Sequence, residues 1–388
     1  MRTSDFILVG IIASSCLFVS IPRESAAMQQ GSNVFWSGHS LTDPPIPQMF
    51  AEISAGFGMP MQWNRHSMAG ASMEARTRGR PPNMNGWDGY QQGFNRDGED
   101  MDVIEELRSA ATVGGEPYGL MVITDVHDFL WWLQSRDSVR LLRHYHERFI
   151  EGNAAGQTFF YQSWLNVNSL QNPGQWIDYE RAAAPVWQCI ATRINASLIA
   201  EGRNDRIKFL PASLALVHLA ERATQSGGVP GITQATTAET LNRIFSDGVH
   251  LTDTGSYYVA LVSYAFTREV SPVGAWAPEG MAPDEAKALQ SLAWGFYSAF
   301  RQTDRPLTLT ECSALVRDSF AEHYWQYNDA RAAHRENTWL AATWQKLRGP
   351  VRRRKNIAET QTAFADDNPL NPLRYDAATD AGFWHPAP

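Results

Sequence analysis

Residues 35–43 read Phe35-Trp36-Ser37-Gly38-His39-Ser40-Leu41-Thr42-Asp43, an apolar run that leads into a short polar turn. We expect a buried strand over residues 34–36, a sharp bend at Gly38, and a helix that begins soon after Ser40. A serine in such a turn is most often the N-cap of the following helix. The same position suits a nucleophile, provided that a base lies within reach of its hydroxyl proton.

Further along the chain, apolar runs alternate with helical patterns. This alternation predicts a parallel sheet covered by helices on both faces. Reactive groups collect at the carboxyl ends of the strands in such sheets, and Ser40, Gly70 and residues 125–128 all follow predicted strand ends. The other predicted strands cover residues 61–63, 120–124, 158–164 and 207–210, and the predicted helices cover residues 47–57, 139–151, 181–200, 214–224 and 257–267.

A second polar motif, Asp247-Gly248-Val249-His250-Leu251-Thr252, lies near the end of this alternating region. Its spacing lets the Asp247 carboxylate hold one ring nitrogen of His250 and leaves the other nitrogen to face Ser40. Taken alone, the motif also fits a surface turn in which the aspartate caps the next helix. Together with Ser40, it supplies nucleophile, orienter and base, which favours acyl transfer at an activated serine.

These motifs resemble those of the SGNH, or GDSL, hydrolases, a family of serine esterases and lipases. Gly38-His39-Ser40-Leu41 is similar to the first block of that family, with a histidine where an aspartate is usual. Residues 245–252, followed by Gly255, closely match its last block. The resemblance implies that Ser40 is the nucleophile and that Asp247 orients a histidine base, His250.

Residues 64–72 resemble the second block of the family with an insertion, which aligns Gly70 with the glycine of the oxyanion hole. The resemblance extends over residues 33–268 and implies a flavodoxin-like three-layer α/β/α domain. It also implies hydrolysis of an ester through an acyl-serine intermediate, with the backbone amides of Ser40 and Gly70 holding the oxyanion.

The third block of the family, Gly-x-Asn-Asp, has no close counterpart in this chain. The predicted third strand leads instead into Thr124-Asp125-Val126-His127-Asp128, which has no asparagine to donate a hydrogen bond to the oxyanion. We expect His127 to replace it, because a neutral imidazole also donates one hydrogen bond. Thr124 is a second candidate, and an oxyanion hole with only two donors is the remaining alternative.

Aromatic side chains follow two of the predicted strands. We expect Tyr161 and Trp164, at the end of the fourth strand, to bind substrate, with residues 129–133 on another side of the same cleft. Aromatic faces suit a sugar ring or an apolar acyl chain. Packing between the sheet and its helices would explain most of these residues equally well.

A metal site is the main rival to the serine site. His39, His66, His127 and His250 are all expected near one edge of the sheet together with several aspartates, and such groups can bind zinc or a similar ion. However, no pair of them has the i, i+4 spacing of helical zinc ligands. We therefore expect no metal, and because the chain has no Gly-rich phosphate loop or dinucleotide motif, we also expect no nucleotide cofactor.

The composition is that of a globular protein, with 44% hydrophobic and 19% charged residues. A net charge of -8 argues against a general nucleic-acid binder, which needs a basic surface. Residues 1–27 resemble a signal peptide, since an apolar run over residues 6–12 and 17–19 precedes the small residues Ser25-Ala26-Ala27. We expect export to the periplasm or the outside and no stable membrane span after cleavage, with a retained N-terminal anchor as the alternative.

Three regions are expected to follow the signal peptide: a hydrolase domain over residues 28–270, a helical appendage over residues 271–348, and an irregular tail over residues 349–388. Cys189 and Cys312 are the two cysteines that remain after cleavage, and a bond between them would join the appendage to the hydrolase domain. The helices of the appendage are predicted from apolar periodicity over residues 284–302, 310–327 and 329–347.

The sequence therefore predicts an exported serine hydrolase that cleaves a small-molecule or carbohydrate ester. The expected role in removing acyl groups from carbohydrate or envelope material rests on location and family analogy. Three alternatives remain open at this point. They are an acyltransferase that uses the same triad, a metal-dependent hydrolase, and a catalytically silent carbohydrate-binding protein.

Overall fold

Among the residues that the computed structural model describes, the strands are β1 (Asn33–Gly38), β2 (Trp63–Ser67), β3 (Gly93–Phe94), β4 (Asp100–Met101), β5 (Tyr118–Ile123), β6 (Gln157–Tyr161) and β7 (Ile207–Leu210). Five of them form a parallel sheet in the order β2-β1-β5-β6-β7, and β3 pairs with β4 in an antiparallel hairpin. Gly38 lies opposite Ser67, and Ser37 lies opposite Ile123. The carboxyl ends of β1, β2 and β5 therefore meet at one edge of the sheet.

Helices cover both faces of this sheet, and up to residue 268 they are α1 (Ile46–Gly56), α2 (Met73–Arg78), α3 (Val103–Arg108), α4 (Phe129–Ser135), α5 (Ser138–Gly152), α6 (Gly174–Ala200), α7 (Ala212–Thr224), α8 (Thr237–Leu241) and α9 (Asp253–Arg268). Right-handed crossovers put α1 on one face and α3, α5 and α6 on the other. Accordingly, α1 packs against α9, and α5 contacts both α3 and α6. All six residues of β1 are buried, as expected for a strand covered on both sides. The predicted three-layer α/β/α fold is confirmed.

The second strand differs from its prediction. We expected it over residues 61–63, but β2 runs from Trp63 to Ser67. Its middle residues are polar and give no apolar run, yet Asn64 and His66 are buried, and each has a partner. The His66 ring, for example, lies 2.7 Å from the Tyr145 hydroxyl, and the side-chain amide of Asn64 donates to Glu106.

The C-terminal part is helical, as predicted, and comprises α10 (Pro283–Thr303), α11 (Leu309–Leu315), a π-helical turn (Val316–Phe320), α12 (Ala321–Arg335), α13 (Trp339–Ala363) and α14 (Ala377–Asp380). The irregular tail was predicted to begin at residue 349, which is wrong, because α13 continues for another four turns. This helix packs along α12. The side chain of Arg352 on α13 pairs with Asp329 on α12 at 2.9 Å. Tertiary contact therefore outweighs the low helix propensity of Gly349 and Pro350.

The appendage and the α/β part share one hydrophobic core, which includes Leu289, Phe320 and Tyr324 from the C-terminal helices. Cys189 on α6 and Cys312 on α11 form a disulfide, with their Cα atoms 5.7 Å apart. The bond spans 123 positions of the chain and fastens the start of the α11–α12 segment to α6.

The predicted signal peptide lies outside the described residues, so that its existence stays a prediction. Within the described part of the chain, no helix combines the length and the hydropathy needed to cross a membrane. The structure describes residues 33–79, 89–109, 112–113, 115–335 and 339–380.

Candidate active site

The turn after β1 is closed by Thr42. The backbone amide of Thr42 donates to the carbonyl of His39 (2.8 Å), and its hydroxyl donates to the same carbonyl (3.0 Å) and accepts from the His39 amide (3.2 Å). A Cβ atom at Gly38 would overlap the Thr42 hydroxyl oxygen, so that only glycine fits at this bend. The turn leaves Ser40 half-buried, with its side chain on a surface cavity.

The structure brings Ser40, Asp247 and His250 together in the order that the sequence predicted. The Ser40 hydroxyl lies 3.2 Å from His250 Nε2, and His250 Nδ1 lies 2.7 Å from Asp247 Oδ2. The other carboxylate oxygen of Asp247 accepts hydrogen bonds from the backbone amides of Val249 and His250, both at 2.7 Å. With Nδ1–H donating to the carboxylate, Nε2 is free to accept a proton from the serine.

The charge of Asp247 is stabilised within its own loop. Partial burial acts to raise the pKa of this carboxyl group, but the hydrogen bonds from the His250 ring and from two backbone amides outweigh burial and lower the pKa below its ordinary value. The side chains of Asp247 and His250 are 56% and 48% exposed, so water has direct access to the triad. Asp247 is therefore ionised at neutral pH, as an orienting carboxylate must be.

The cavity beside Ser40 has a volume of about 280 Å³. Pro45, Ile46 and Trp164 give it an apolar side, and Ser40 and His250 lie on its polar side. A larger cavity of about 530 Å³ lies between α6, α12 and α13, but none of the described residues that line it is a serine or a cysteine. The smaller cavity is the one that adjoins Ser40 and His250.

Trp164 and Tyr161 were both predicted to bind substrate, and the structure separates them. Trp164 lines the cavity, and its indole N–H donates to the carbonyl of Val249 at 2.7 Å. Both side chains are fully buried, but Tyr161 is not among the residues that line this cavity, and its hydroxyl donates to the carbonyl of Leu41 at 3.2 Å. Tyr161 thus supports the serine turn from behind, and this position argues against the direct substrate contact that we expected.

Gly70, the predicted second oxyanion donor, lies in a turn that follows β2. Its φ of +65° favours glycine, and a Cβ atom there would meet only open space. The turn leaves the sheet next to Gly38, because Ser67 at the end of β2 pairs with that residue. Gly70 is exposed at the same edge of the sheet as Ser40, which is where an oxyanion donor is needed.

His127, the predicted third donor, lies in the loop after β5 and is half-buried. Its ring meets the ring of His39 edge to face, with centroids 5.7 Å apart. Its role as an oxyanion donor stays a prediction. The second candidate, Thr124, is buried, and its hydroxyl donates to the carbonyl of Tyr161 at 2.8 Å, so that this hydroxyl points to β6.

His39 has a role that the sequence did not reveal. Its Nε2 lies 3.2 Å from the carbonyl of Asp125, and its Nδ1 accepts from the amide of Leu41 at 3.4 Å. Burial, together with repulsion from His127 and Arg76, lowers the pKa of His39 to about 3. A neutral ring with its proton on Nε2 satisfies both contacts and joins the serine turn to the loop after β5.

Arg76 is a second residue whose role the sequence did not reveal. This arginine is fully buried on α2, donates to the Ser37 hydroxyl (3.1 Å) and to the carbonyl of Ala71 (2.9 Å), and also donates to the carbonyl of Thr124. Burial lowers its pKa below the usual value. It fastens the ends of β1 and β5 to the loop that carries Gly70, and one of two arginines in a short helix gives no sequence signal of such a role.

The acidic side chains considered for a metal site have other partners. Asp43 pairs with Arg65, and Asp125 accepts hydrogen bonds from the amides of Met73 and Val126 and from the hydroxyl of Ser138. Among the residues that the structure describes, no three histidine, cysteine, aspartate or glutamate side chains converge in a way that could hold a metal ion.

No family model and no curated protein matches this chain significantly. Among solved structures, the chain is similar to the crystal structure of a DUF4886 family protein from Bacteroides uniformis, with 17% sequence identity and a TM-score of 0.46. The similarity covers 72% of this chain and 99% of that protein. Function must therefore be inferred from the residues of the site.

Proposed function

We propose that this protein is a serine hydrolase of the SGNH type that cleaves acyl esters through an acyl-serine intermediate. The observation that carries the proposal is the unbroken series of contacts from Asp247 through His250 to Ser40. A serine in a strand-to-helix turn or an Asp-x-x-His loop occurs in many folds without catalysis. Their meeting within hydrogen-bond distance, beside a cavity, is the arrangement that nucleophilic catalysis requires.

In the proposed reaction, the Ser40 Oγ attacks the ester carbonyl carbon while His250 Nε2 takes the hydroxyl proton. The amides of Ser40 and Gly70 donate to the resulting oxyanion, with His127 as the candidate third donor. Collapse of the tetrahedral intermediate breaks the bond to the alcohol oxygen, which takes the proton from His250. A water molecule, deprotonated by His250, then attacks the acyl-serine and releases the carboxylic acid.

The cavity and its surroundings support an ester with a small acyl group and a larger alcohol part. A volume of about 280 Å³ leaves little space beyond a short acyl chain. In the helix that follows the His127 loop, the indole of Trp131 on α4 is 42% exposed. Exposed indole faces bind sugar rings by apolar stacking, so a carbohydrate ester is the substrate class that we favour.

We also propose that the enzyme acts after export. The signal-peptide pattern of residues 1–27 supports export. The Cys189–Cys312 disulfide supports it independently, because such bonds persist in oxidising compartments. N-terminal sequencing of exported protein should give a chain that begins at or near Met28, and a cytoplasmic protein with an intact Met1 would contradict the proposal.

Labelling with a fluorophosphonate tests the proposed chemistry directly. The label should be found on the peptide that contains Ser40, and Ser40→Ala should abolish both labelling and hydrolysis of a short-chain nitrophenyl ester. Ser226→Ala is a control for the loss of a turn serine, because Ser226 is an exposed serine in a turn after α7. Hydrolysis that survives Ser40→Ala would rule out the serine mechanism.

Labelling and hydrolysis, combined with an acceptor and a chelator, separate the alternative functions of this site. Adding a sugar alcohol as acceptor would yield an acylated sugar in place of the free acid if the enzyme is an acyltransferase. A metal-dependent hydrolase would lose activity to a chelator and resist the fluorophosphonate. A silent binding protein would show neither labelling nor turnover.

A further inference from the structure

The loop that follows β6, residues 162–168, touches the loop that carries Asp247 and His250 at two points. The amide of Val167 donates to the carbonyl of Gly248, and the indole N–H of Trp164 donates to the carbonyl of Val249, both at 2.7 Å. We call residues 162–168 the bracket loop. It thus binds the two residues that separate the catalytic aspartate from the histidine.

The approach between these two loops is close. A Cβ atom at Gly248 would lie 3.2 Å from the carbonyl oxygen of Val167, which is tighter than ordinary van der Waals contact. Because residue 248 is a glycine, the bracket loop can pack directly on the backbone between Asp247 and His250 and so fix its position. A shift of the bracket loop would be passed to the His250 ring, whose two nitrogens contact Asp247 and Ser40.

The bracket loop is in turn held both by the α/β part and by the C-terminal appendage. From α6, Glu180 accepts a hydrogen bond from the amide of Leu165 (2.6 Å), and the indole N–H of Trp176 donates to the carbonyl of Leu165 (3.0 Å). These contacts lie within the α/β part of the protein. Together with the hydrogen bonds from the Gln162 amide to the carbonyl of Leu210 (2.9 Å) and from the Ser163 hydroxyl to the carbonyl of Asp125 (3.2 Å), they fix the first half of the bracket loop.

The second support comes from α12 in the C-terminal appendage. The Tyr327 hydroxyl donates to the carbonyl of Asn166 (2.6 Å) and accepts from the amide of Asn168 (3.2 Å). Arg331 Nε donates to the side-chain oxygen of Asn166 at 2.7 Å. Tyr327 and Arg331 are 3% and 8% exposed, so these bonds are shielded from competing water.

The helix that carries these two residues is itself fixed on the α/β part. The ring of Tyr327 stacks on that of Tyr179 of α6, with centroids 4.8 Å apart and an angle of 17° between the planes. The Cys189–Cys312 disulfide joins α6 to α11, directly before the π-helical turn that leads into α12. The position of α12 on α6 is therefore defined by a covalent bond and an aromatic stack.

We propose that Tyr327 and Arg331 are positioning residues of the active site, which act through Asn166 and the bracket loop to hold His250 at the correct distance from Ser40. This inference rests on the proposed function for its catalytic readout. It makes the C-terminal appendage a part of the catalytic scaffold, although it supplies no group that touches the reacting atoms. Misplacement of a catalytic group by about 1 Å can lower the rate about a hundredfold.

The first test compares Tyr327→Phe with Tyr118→Phe. Tyr327→Phe removes the hydroxyl that bridges Asn166 and Asn168 but keeps the aromatic stack. Tyr118 is also a buried tyrosine, and its hydroxyl donates to Glu106 at the amino end of the sheet, away from Ser40. We expect kcat for the ester to fall about tenfold or more in Tyr327→Phe, with KM within about twofold, and kcat to be unchanged in Tyr118→Phe.

The second test uses Asn166. Asn166→Ala removes the acceptor of the Arg331 hydrogen bond and should lower kcat, whereas Asn166→Asp keeps an acceptor oxygen and should restore most of it. A merely structural role would lower the unfolding midpoint of both tyrosine variants to a similar extent and leave kcat of the folded protein equal. Equal kcat values in Tyr327→Phe, Asn166→Ala and the wild type would overturn the inference.

A nuclear magnetic resonance measurement keeps this test separate from that of the proposed function. In protein with ¹⁵N-labelled histidine, the Nδ1–H of His250 bound to Asp247 should give a low-field proton resonance that is absent in His250→Ala. We expect Tyr327→Phe to shift or broaden this resonance and Tyr118→Phe to leave it in place. If wild type neither hydrolyses esters nor labels at Ser40, the proposed function fails, but an unchanged resonance in Tyr327→Phe is what overturns the positioning role.

Discussion

Both carboxylate oxygens of Asp247 are used within its own loop, and this double use gives the residue two tasks. One oxygen accepts from two backbone amides and shapes the turn, while the other holds the His250 ring. His39 likewise uses both polar atoms of its side chain, since its two ring nitrogens join the serine turn to the neighbouring loop. Individual polar residues at this edge of the sheet thus fix the backbone and the reactive groups together.

Asp247→Asn separates these two tasks. The amide oxygen of asparagine can accept from the Val249 and His250 amides, so the turn should persist, but its NH₂ group would then face His250 Nδ1. Nδ1 would have to be the acceptor and Nε2 would carry the proton, so that the ring could not act as a base toward Ser40. We expect kcat to fall about a thousandfold or more with the fold intact.

The measurement for Asp247→Asn is steady-state hydrolysis together with circular dichroism. Asp253→Asn serves as the control for the loss of one negative charge, because Asp253 is an exposed aspartate close by in sequence. Activity in Asp247→Asn within about tenfold of that in the control would show that the tautomer of His250 does not matter and would contradict the triad.

His127 can be tested by a pair of substitutions. If its ring donates to the oxyanion, His127→Ala should lower kcat about a hundredfold with little change in KM, because the donor acts mainly in the transition state. His127→Asn supplies a shorter donor and should recover much of the loss. If His127 serves only to pack against His39, both variants should lower the unfolding midpoint instead, with kcat staying within a few-fold of the wild type.

At the scale of secondary-structure elements, the β6–α6 region connects the site to the rest of the fold. Helix α6 carries Glu180, whose carboxyl group is fully buried and holds the bracket loop. Burial raises the pKa of Glu180 to about 8, and the hydrogen bond from the Leu165 amide and the charge of Arg331 offset this only in part. A neutral Glu180 therefore belongs to the folded state at neutral pH.

This raised pKa gives a prediction for stability. Because a glutamate in the unfolded chain titrates near 4.5, the unfolded state loses its proton at lower pH than the folded state does. The contribution of Glu180 to stability is therefore complete below about pH 4.5 and is lost as pH rises to about 8. Glu180→Gln keeps an acceptor for Leu165 and does not ionise, so it should match the wild type near pH 5 and exceed it at pH 8.

Urea unfolding at several pH values between 5 and 8 measures this difference. Glu322→Gln is the matched control, because Glu322 is an exposed glutamate on α12, and it should show no trend relative to the wild type. A constant difference between Glu180→Gln and the wild type over this range would mean that Glu180 is ionised in the folded protein, contrary to the prediction.

The elements also show where sequence analysis succeeded and where it did not. Strands β1 and β5 were predicted because they are apolar runs buried on both faces, and the edge strand β7 was predicted although its Lys208 is exposed. Strand β2 was misplaced because its polar residues are satisfied by distant partners, such as Tyr145 for His66, which no local pattern reveals. The end of α13 was missed for a similar reason, since its contacts with α12 stabilise a helix through Gly349 and Pro350.

The candidate site also contains some residues whose positions the sequence predicted and others whose positions it did not. Ser40, Asp247 and His250 have spacings that carry their chemistry, so their meeting was predictable from the sequence. The burial of Tyr161, the bridging role of His39 and the contacts of Arg76 were not, because each depends on which loops meet at the edge of the sheet. The role of the bracket loop was not predicted for the same reason, since its partners near His250 and on α12 lie more than eighty positions away along the chain.

At the scale of the whole molecule, the boundary expected at residue 270 does not separate two cores. The ring of Phe266 on α9 meets those of Tyr297 and Phe300 on α10 at 5.1 and 5.4 Å, and α10 packs along α9. On the far side of the sheet, Tyr179 of α6 meets the rings of Tyr324 and Tyr327. The appendage therefore covers apolar surface on helices from both layers.

Without the C-terminal appendage, residues 28–270 should not fold on their own. A chain of residues 28–270 would expose Phe266 and Tyr179 to water, leave Cys189 without its partner, and lose Tyr327 and Arg331 from the bracket loop. Exposed apolar surface of this kind favours aggregation or a state without fixed packing. We expect this fragment to show no cooperative urea transition, whereas a chain of residues 28–380 should unfold with the midpoint of the full protein. Cooperative unfolding of the 28–270 fragment at the full-length midpoint would show instead that the appendage is dispensable for the fold. Hydrolysis by that fragment at the full-length rate would show that the site does not depend on the appendage either.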